Sequence, residues 1–347
     1  MVLPRPLQLW NEPCVPVYTT GTSIDTGGQP RESLRTVYGR IDQDIDRAIE
    51  LLEKARETTL AENNKSHINL YVALGIKSRA CLAEGDWDGA FKAAKRVIDE
   101  GGYAVGTKSD LTGGMNSLDK QNVMWGAGIQ VADQAGGYAG FFTHMDNKEG
   151  AYAKSAPKLI SKQLYNRISA TDIRRDWWDP SDKESPYVSK KFSFANVASF
   201  LGDYIYMRVE EMYFTAAEAA LRLDDLKSAR ELMNTVMAER DPGYSANNRS
   251  GTLLGATTTT WTGSFLENIL THRRIELWGE YGRLFDVRRL GQGIDRRTDD
   301  GFSEECISMM NRRNVNITKA DTYDWVLTIP KAELDANPNI NEEDQNP

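Results

Sequence analysis

Cysteine and histidine are scarce in this sequence. Cys14, Cys81 and Cys306 stand far apart and in odd number, which argues against a disulfide framework and against a cysteine-rich zinc cluster. Histidine occurs only at positions 67, 144 and 272, so metal or triad chemistry built on imidazole has little material. His67 and His144 read as capping or surface residues. No apolar run of about 18 residues is present, which excludes a helical membrane span. Positive charge is in the minority: 42 Lys and Arg against 50 Asp and Glu leave a formal charge of −8. That balance argues against a partner held through phosphate charge, nucleic acid included. The basic pairs Arg174-Arg175 and Arg288-Arg289 are accordingly read as salt-bridged surface. The Thr/Gly-rich tract at 247–261 lacks the lysine and spacing of a phosphate-binding loop. The opening Met-Val-Leu-Pro-Arg-Pro-Leu shows no export signal, so the expectation is an intracellular protein or a piece whose front has been removed.

What is present suits a helical protein. The 347 residues, 40% hydrophobic and 27% charged, allow one large domain or two, with enough chain for a core without cross-links. Pro30 and Glu32 precede a stripe of Leu34, Val37, Tyr38, Ile41, Ile45, Ala48, Ile49 and Leu52 at spacings of three and four, predicting a long amphipathic helix. Asn64 or Ser66 is expected to cap the next helix, which carries Leu70, Ala73, Leu74 and Cys81. A Glu84-Gly85-Asp86 turn leads into its partner, from about Trp87 to Glu100. Residues 79–98 align without a gap on residues 218–237. Ala80 falls on Ala219, Asp86 on Asp225, Ala90 on Ala229 and Val97 on Val236. Small alanines let the helices of a hairpin approach closely, and the acidic turn residues cap each second helix. This is tetratricopeptide-like spacing, a unit that must stack on neighbours to bury its outer face.

Between the copies lies a different chain. Val123-Met124-Trp125 reads as a short strand, and 136–152 (GGYAGFFTHMDNKEGAY) is a Gly- and aromatic-rich insertion of the kind that forms binding loops. Pro157 is expected to begin a short helix. Residues 171–192 place two adjacent tryptophans in a polar, turn-rich setting. A last strong helix is predicted from Ser264 to Tyr281.

Several stretches resemble the SusD/RagB family of outer-membrane nutrient-binding lipoproteins of the Bacteroidetes. Residues 206–223 (YMRVEEMYFTAAEAALRL) with 227–242, then 272–291 (HRRIELWGEYGRLFDVRRLG), then the tail 325–347 (WVLTIPKAELDANPNINEEDQNP) carry the match. Upstream, CVPVYT, VYGRIDQDIDRAIELL and TDIRRDWW fit in order. His272 stands where the family usually has Glu, and Tyr281 intervenes before the usual Gly. Members begin with a lipoprotein signal and a lipid-carrying cysteine, and Cys14 does not lie in a lipobox. The chain therefore resembles the carboxy-terminal two-thirds of a member. The resemblance implies a mainly α fold of tetratricopeptide-like helix pairs with long loops and a few short strands, taken as one domain over 1–347. It also implies non-catalytic capture of a nutrient, most often a glycan, for delivery to a SusC-like TonB-dependent transporter at the outer membrane. No cofactor is implied.

Arg273, Arg274, Glu276, Glu280, Arg283 and Asp286 could be imagined as an acid–base array, but interleaved charges at helical spacing more naturally form a structural ion-pair network. Glu210, Glu211 and Glu218 could serve a glycoside hydrolase only as two carboxylates facing across a cleft, and adjacent residues of one helix point apart, so that third reading is open but unsupported. The expected ligand platforms are aromatic, since sugar faces are apolar on their C–H side. Trp177 and Trp178 are the first candidates. Tyr138, Phe141, Phe142 and Tyr152 of the insertion follow, then Trp125 and Tyr187, with Trp261 divided between loop and core. Asp133, Asp146 and Asn147 could bind hydroxyls. A peptide ligand, as in the RagB branch, and a pure protein–protein scaffold are the competing readings.

Overall fold

A computed structural model describes residues 10–23, 25–56, 64–131, 139–296, 319 and 325–346. The chain is mainly helical. Two short strands come first, β1 (Pro13–Pro16) and β2 (Arg31–Ser33), paired antiparallel. Helix α1 (Leu34–Arg56) follows directly. It starts later than Pro30 and Glu32 suggest, because 31–33 are held in β2 and the Ser33 hydroxyl accepts from the Thr36 amide at 3.1 Å. Leu34 and Tyr38 are buried, while Ile41, Ile45, Ile49 and Leu52 are only half-buried against α2.

Helices α2 (Leu70–Glu84) and α3 (Trp87–Glu100) form the first hairpin. The cap of α2 is Asn69, whose side chain accepts from the Val72 amide at 2.9 Å, and not Asn64 or Ser66. Asn64 instead accepts from the Ser66 amide in the preceding turn. The second hairpin is α8 (Val209–Arg222) with α9 (Leu226–Ala238). The repeat read from sequence is real in three dimensions. Asp86 and Asp225 each cap the second helix of their pair, accepting from the Gly89 and Ser228 amides at 3.0 Å. The residue before each cap, Gly85 or Asp224, is left-handed at φ 87° and 63°. Helix α3 packs on α8, so the two hairpins stack although the sequence between them is long. Ala90, Ala94, Ala216, Ala217 and Ala229 lie at these contacts with no exposed surface, and close helix approach follows from their size.

The intervening chain carries α4 (Lys108–Thr112), β3 (Val123–Ala127), α5 (Phe141–Met145), α6 (Ala151–Ser155) and α7 (Lys162–Tyr165). It ends in a 3₁₀ turn, the two-residue pair β4 (Trp178–Asp179) and β5 (Val188–Ser189), and β6 (Tyr204–Arg208). Pro157 does not begin a helix: 157–160 are irregular, and α7 starts after its own cap, Ser161. This insertion has its own core of Leu111, Phe142, Leu164, Trp177, Trp178 and Phe192, closed by Ile275 from the frame. Strand β3 pairs with β6, and β6 runs straight into α8.

Helix α10 (Phe265–Glu276) packs on α8 but stops well before Tyr281. Gly279 and Gly282 take φ 75° and 108°, and the turn they allow separates α10 from α11 (Arg283–Leu290). The tail then returns to the beginning of the chain. Asn337 Nδ2 donates to the Gln29 carbonyl at 2.9 Å, and Arg31 donates to the Asp344 carbonyl and Asn346 Oδ1, both at 2.8 Å. Asn337, Asp344 and Asn346 of the tail thus clasp the chain at Gln29 and Arg31.

Candidate functional site

The charged residues of the signature helices form two buried networks. In the first, Glu276 lies among three guanidinium groups: Arg208 Nη1 at 3.0 Å, Arg240 Nε at 3.0 Å and Arg174 Nη1 at 3.1 Å. Glu210 takes Arg240 Nη2 at 2.8 Å, and Glu280 takes Arg208 Nε at 2.8 Å and Lys191 Nζ at 2.5 Å. Burial alone would raise the Glu276 carboxyl, but the three arginines outweigh it and hold it well below the usual carboxylate range. His272 is buried, and burial and the Arg174 guanidinium, whose Nη2 lies 2.9 Å from Nδ1, keep the ring neutral.

The second network joins α2, α8, α10 and α11. Arg79 forks onto Glu211 at 2.9 and 2.6 Å, Glu211 also meets Arg273 at 3.3 Å, and Arg273 reaches Asp286 at 3.1 Å. Arg289 closes the line on Glu218 with two contacts of 2.7 Å. Against the effect of burial, Arg273, Arg289 and Arg283 hold Asp286 down to about 2. Arg274 donates to the Thr258 carbonyl at 3.2 Å. Glu210 and Glu211 do point apart, each into a different network, and all three glutamates of α8 are buried against arginine. None of them stands in a cleft as a free acid or base. The reading of Arg174-Arg175 and Arg288-Arg289 as surface is corrected: Arg174 and Arg288 are buried, and Arg175 lies over the Tyr165 ring at 4.3 Å.

Where the second network reaches the surface, two apolar cavities meet. The first, of about 500 Å³, is walled by β3, β6 and the Gly279–Tyr281 turn, with Trp125, Phe141, Phe192, Tyr204, Tyr206 and Tyr281 as its aromatic lining. Trp125 and Tyr206 pack edge to face at 5.1 Å, and Tyr206 is 41% exposed. The second, of about 400 Å³, lies between α1, α2 and α11, lined by Tyr38, Ile41, Ile76, Ala83 and Phe285. Arg79, Trp125 and Tyr281 border both. A third, more polar cleft of about 730 Å³ runs along the insertion past Lys148, Lys154, Asp179, Asp182, Glu184 and Lys190.

The structure redistributes the expected platform residues. Trp177 and Trp178 are corrected: they are 2% and 1% exposed, with Trp177 Nε1 donating to the Leu111 carbonyl at 3.0 Å and Trp178 edge-on to Trp278. An indole carries a large apolar area to bury, and here both pack among Leu111, Ile160, Leu164 and Phe192 as part of the insertion's core. Phe142 is likewise core at 2% exposure. Asp146 and Asn147 are spent on loop backbone, accepting from the Phe194 and Lys158 amides at 3.0 and 2.8 Å. Tyr187 is half-buried against Tyr165, and Trp261 lies under Arg167 at 4.0 Å. Tyr152 is 43% exposed and stacked on His144 at 4.6 Å, away from the first cavity's lining. Tyr138 and Asp133 lie outside the described residues. Trp125 and Phe141 are the two candidates that meet, in the first cavity.

Their partners Tyr204, Tyr206 and Tyr281 were not read from sequence. Placing the helix start at Tyr206 hid the fact that 204–208 is a strand whose tyrosines reach the cavity. Tyr281 carried a signal, as the residue inserted into the family pattern between Glu280 and Gly282.

The SusD family profile matches residues 144–347, and the chain belongs to the SusD family. A SusD-like carbohydrate-binding protein of Bacteroides vulgatus has a similar structure, at TM-score 0.75 and 25% identity over 96% of this chain and 71% of its own. A SusD superfamily protein of Bacteroides thetaiotaomicron matches at TM-score 0.74 and 22% identity, over 97% and 72% of the two chains. Surface glycan-binding protein A of Bacteroides uniformis matches at TM-score 0.61 and 18% identity, over 98% and 74%. The last two likenesses establish the fold alone. No curated protein matches the chain.

Proposed function

We propose that this protein captures a glycan without transforming it and presents it to a SusC-like TonB-dependent transporter, as a surface-facing lipoprotein of the outer membrane. Membership of the SusD family supports the reading, as does likeness to a protein described as carbohydrate-binding. The observation that carries it is the aromatic cavity of Trp125, Tyr206, Tyr204 and Tyr281, next to a guanidinium. Indole and phenol rings cover the C–H faces of a sugar, while Tyr206 and Arg79 offer donors to its hydroxyls. The neighbouring carboxylates are all held by arginines or lysine, which suits retention better than hydrolysis.

Affinity electrophoresis and calorimetry against a panel of soluble polysaccharides test this, using wild type, Trp125→Ala and Tyr206→Ala. At least one polysaccharide should bind, weakened about tenfold or more in each variant, with no reducing ends released. Release of product, or binding indifferent to both substitutions, would overturn the assignment. Binding of peptides alone would replace glycan by peptide as the cargo.

A further inference from the structure

Resting on that reading, we infer that the captured glycan spans two subsites of this chain, crossing from the first cavity into the second over Arg79. The two cavities have Arg79, Trp125 and Tyr281 as their common border, and each lies in the size range of a small-ligand site. Phe285 stacks on Tyr281 with centroids 5.3 Å apart and planes at 23°, and is 42% exposed. The aromatic surface that starts at Tyr206 therefore continues past the border.

Arg79 is built as a polar anchor at that border. Its Nε and Nη2 are fixed by Glu211, and Nη2 also donates to the Tyr206 carbonyl at 2.7 Å. Its guanidinium lies 3.8 Å from the centre of the Tyr281 ring. Among the described residues Nη1 makes no hydrogen bond, and the side chain keeps 13% of its surface exposed. A guanidinium has five N–H donors, and here the fork and the stack hold it so that the two on Nη1 are left for a ligand oxygen. A hydroxyl or linkage oxygen placed there would have sugar rings on either side, one against Trp125 and Tyr206, the next against the exposed Phe285. Once the first ring is bound, the second engages at high effective concentration, so affinity rises with chain length.

The test is calorimetry with malto-, cello-, xylo- and manno-oligosaccharides of two to six units, on the full chain. In the series that binds, wild type should gain tenfold or more between two and five units. Phe285→Ala, at an exposed position of the second cavity alone, should bring the long-to-short affinity ratio toward one. Tyr206→Ala, in the first cavity alone, should weaken both lengths and leave the ratio. Arg79→Lys, which keeps the charge opposite Glu211 but not the Nη1 donors, should weaken the longer chains about tenfold. Affinity independent of length, or a length gain that survives Phe285→Ala, overturns this inference and leaves glycan capture standing. Absence of binding by any saccharide, polysaccharides included, overturns both.

Discussion

Glu276 shows why the signature charges of this fold are structural. It is fully buried and lies between Arg174, Arg208 and Arg240, which come from the insertion, from β6 and from the end of the second hairpin. Each arginine would be costly to bury alone, and Glu276 is the carboxylate that all three share, beside Asp172 on Arg174, Glu210 on Arg208 and Arg240, and Glu280 on Arg208. Glu276→Gln keeps the shape and removes the charge. It should therefore cost about 3–5 kcal/mol in urea unfolding, as buried guanidinium charge is left uncompensated. A cost below about 1 kcal/mol would show that Asp172, Glu210 and Glu280 suffice.

At the scale of elements, the two hairpins depend on small residues at their contacts. Ala229 on α9 and Ala90 on α3 occupy equivalent places in the repeat and have no exposed surface. At a fully covered position a longer side chain has to displace packed neighbours. Ala229→Leu should destabilise the protein by about 1–3 kcal/mol through overpacking, read from the urea midpoint with an unchanged slope. Lys227→Ala, two residues away on the exposed face, should change it by less than about 0.5 kcal/mol. Equal effects of the two would mean that α9 is not packed as described.

For the molecule as a whole, the networks couple parts that the sequence keeps apart. The first ties the insertion, β6, the second hairpin and α10 together, and the second ties α2, α8, α10 and α11. Glu276, Glu280 and Asp286 all titrate lower in the folded chain than when unfolded. Their stabilisation is complete above about pH 5 and is lost as pH falls through the unfolded values near 4 and on toward 2. Acid unfolding should therefore be one transition in that window, with tryptophan fluorescence of the insertion core and far-UV ellipticity of the helices changing together. Fluorescence that changes a full pH unit before the helices would show that the insertion is held independently.

The helices, the repeat and the structural character of the charges could be read from the chain because each rests on local spacing. A stripe at three and four, an aspartate before a helix and a small residue in every turn act within a few residues of each other, and Asp86 with Asp225 and Ala90 with Ala229 bear this out. The membership of the SusD family was legible for the same reason, as ordered motifs. The ligand platform was not. Trp177 and Trp178 sit in polar sequence yet are core, because burial is decided by what 160, 164 and 192 bring from elsewhere. Trp125, Tyr206 and Tyr281 are far apart in the chain and become one surface only when β3 pairs with β6 and the Gly279–Gly282 turn brings Tyr281 over Arg79. Local pattern settles which segments are helices. Long-range packing alone settles which aromatic rings stay open to a ligand, since an exposed ring is one that no distant segment has covered.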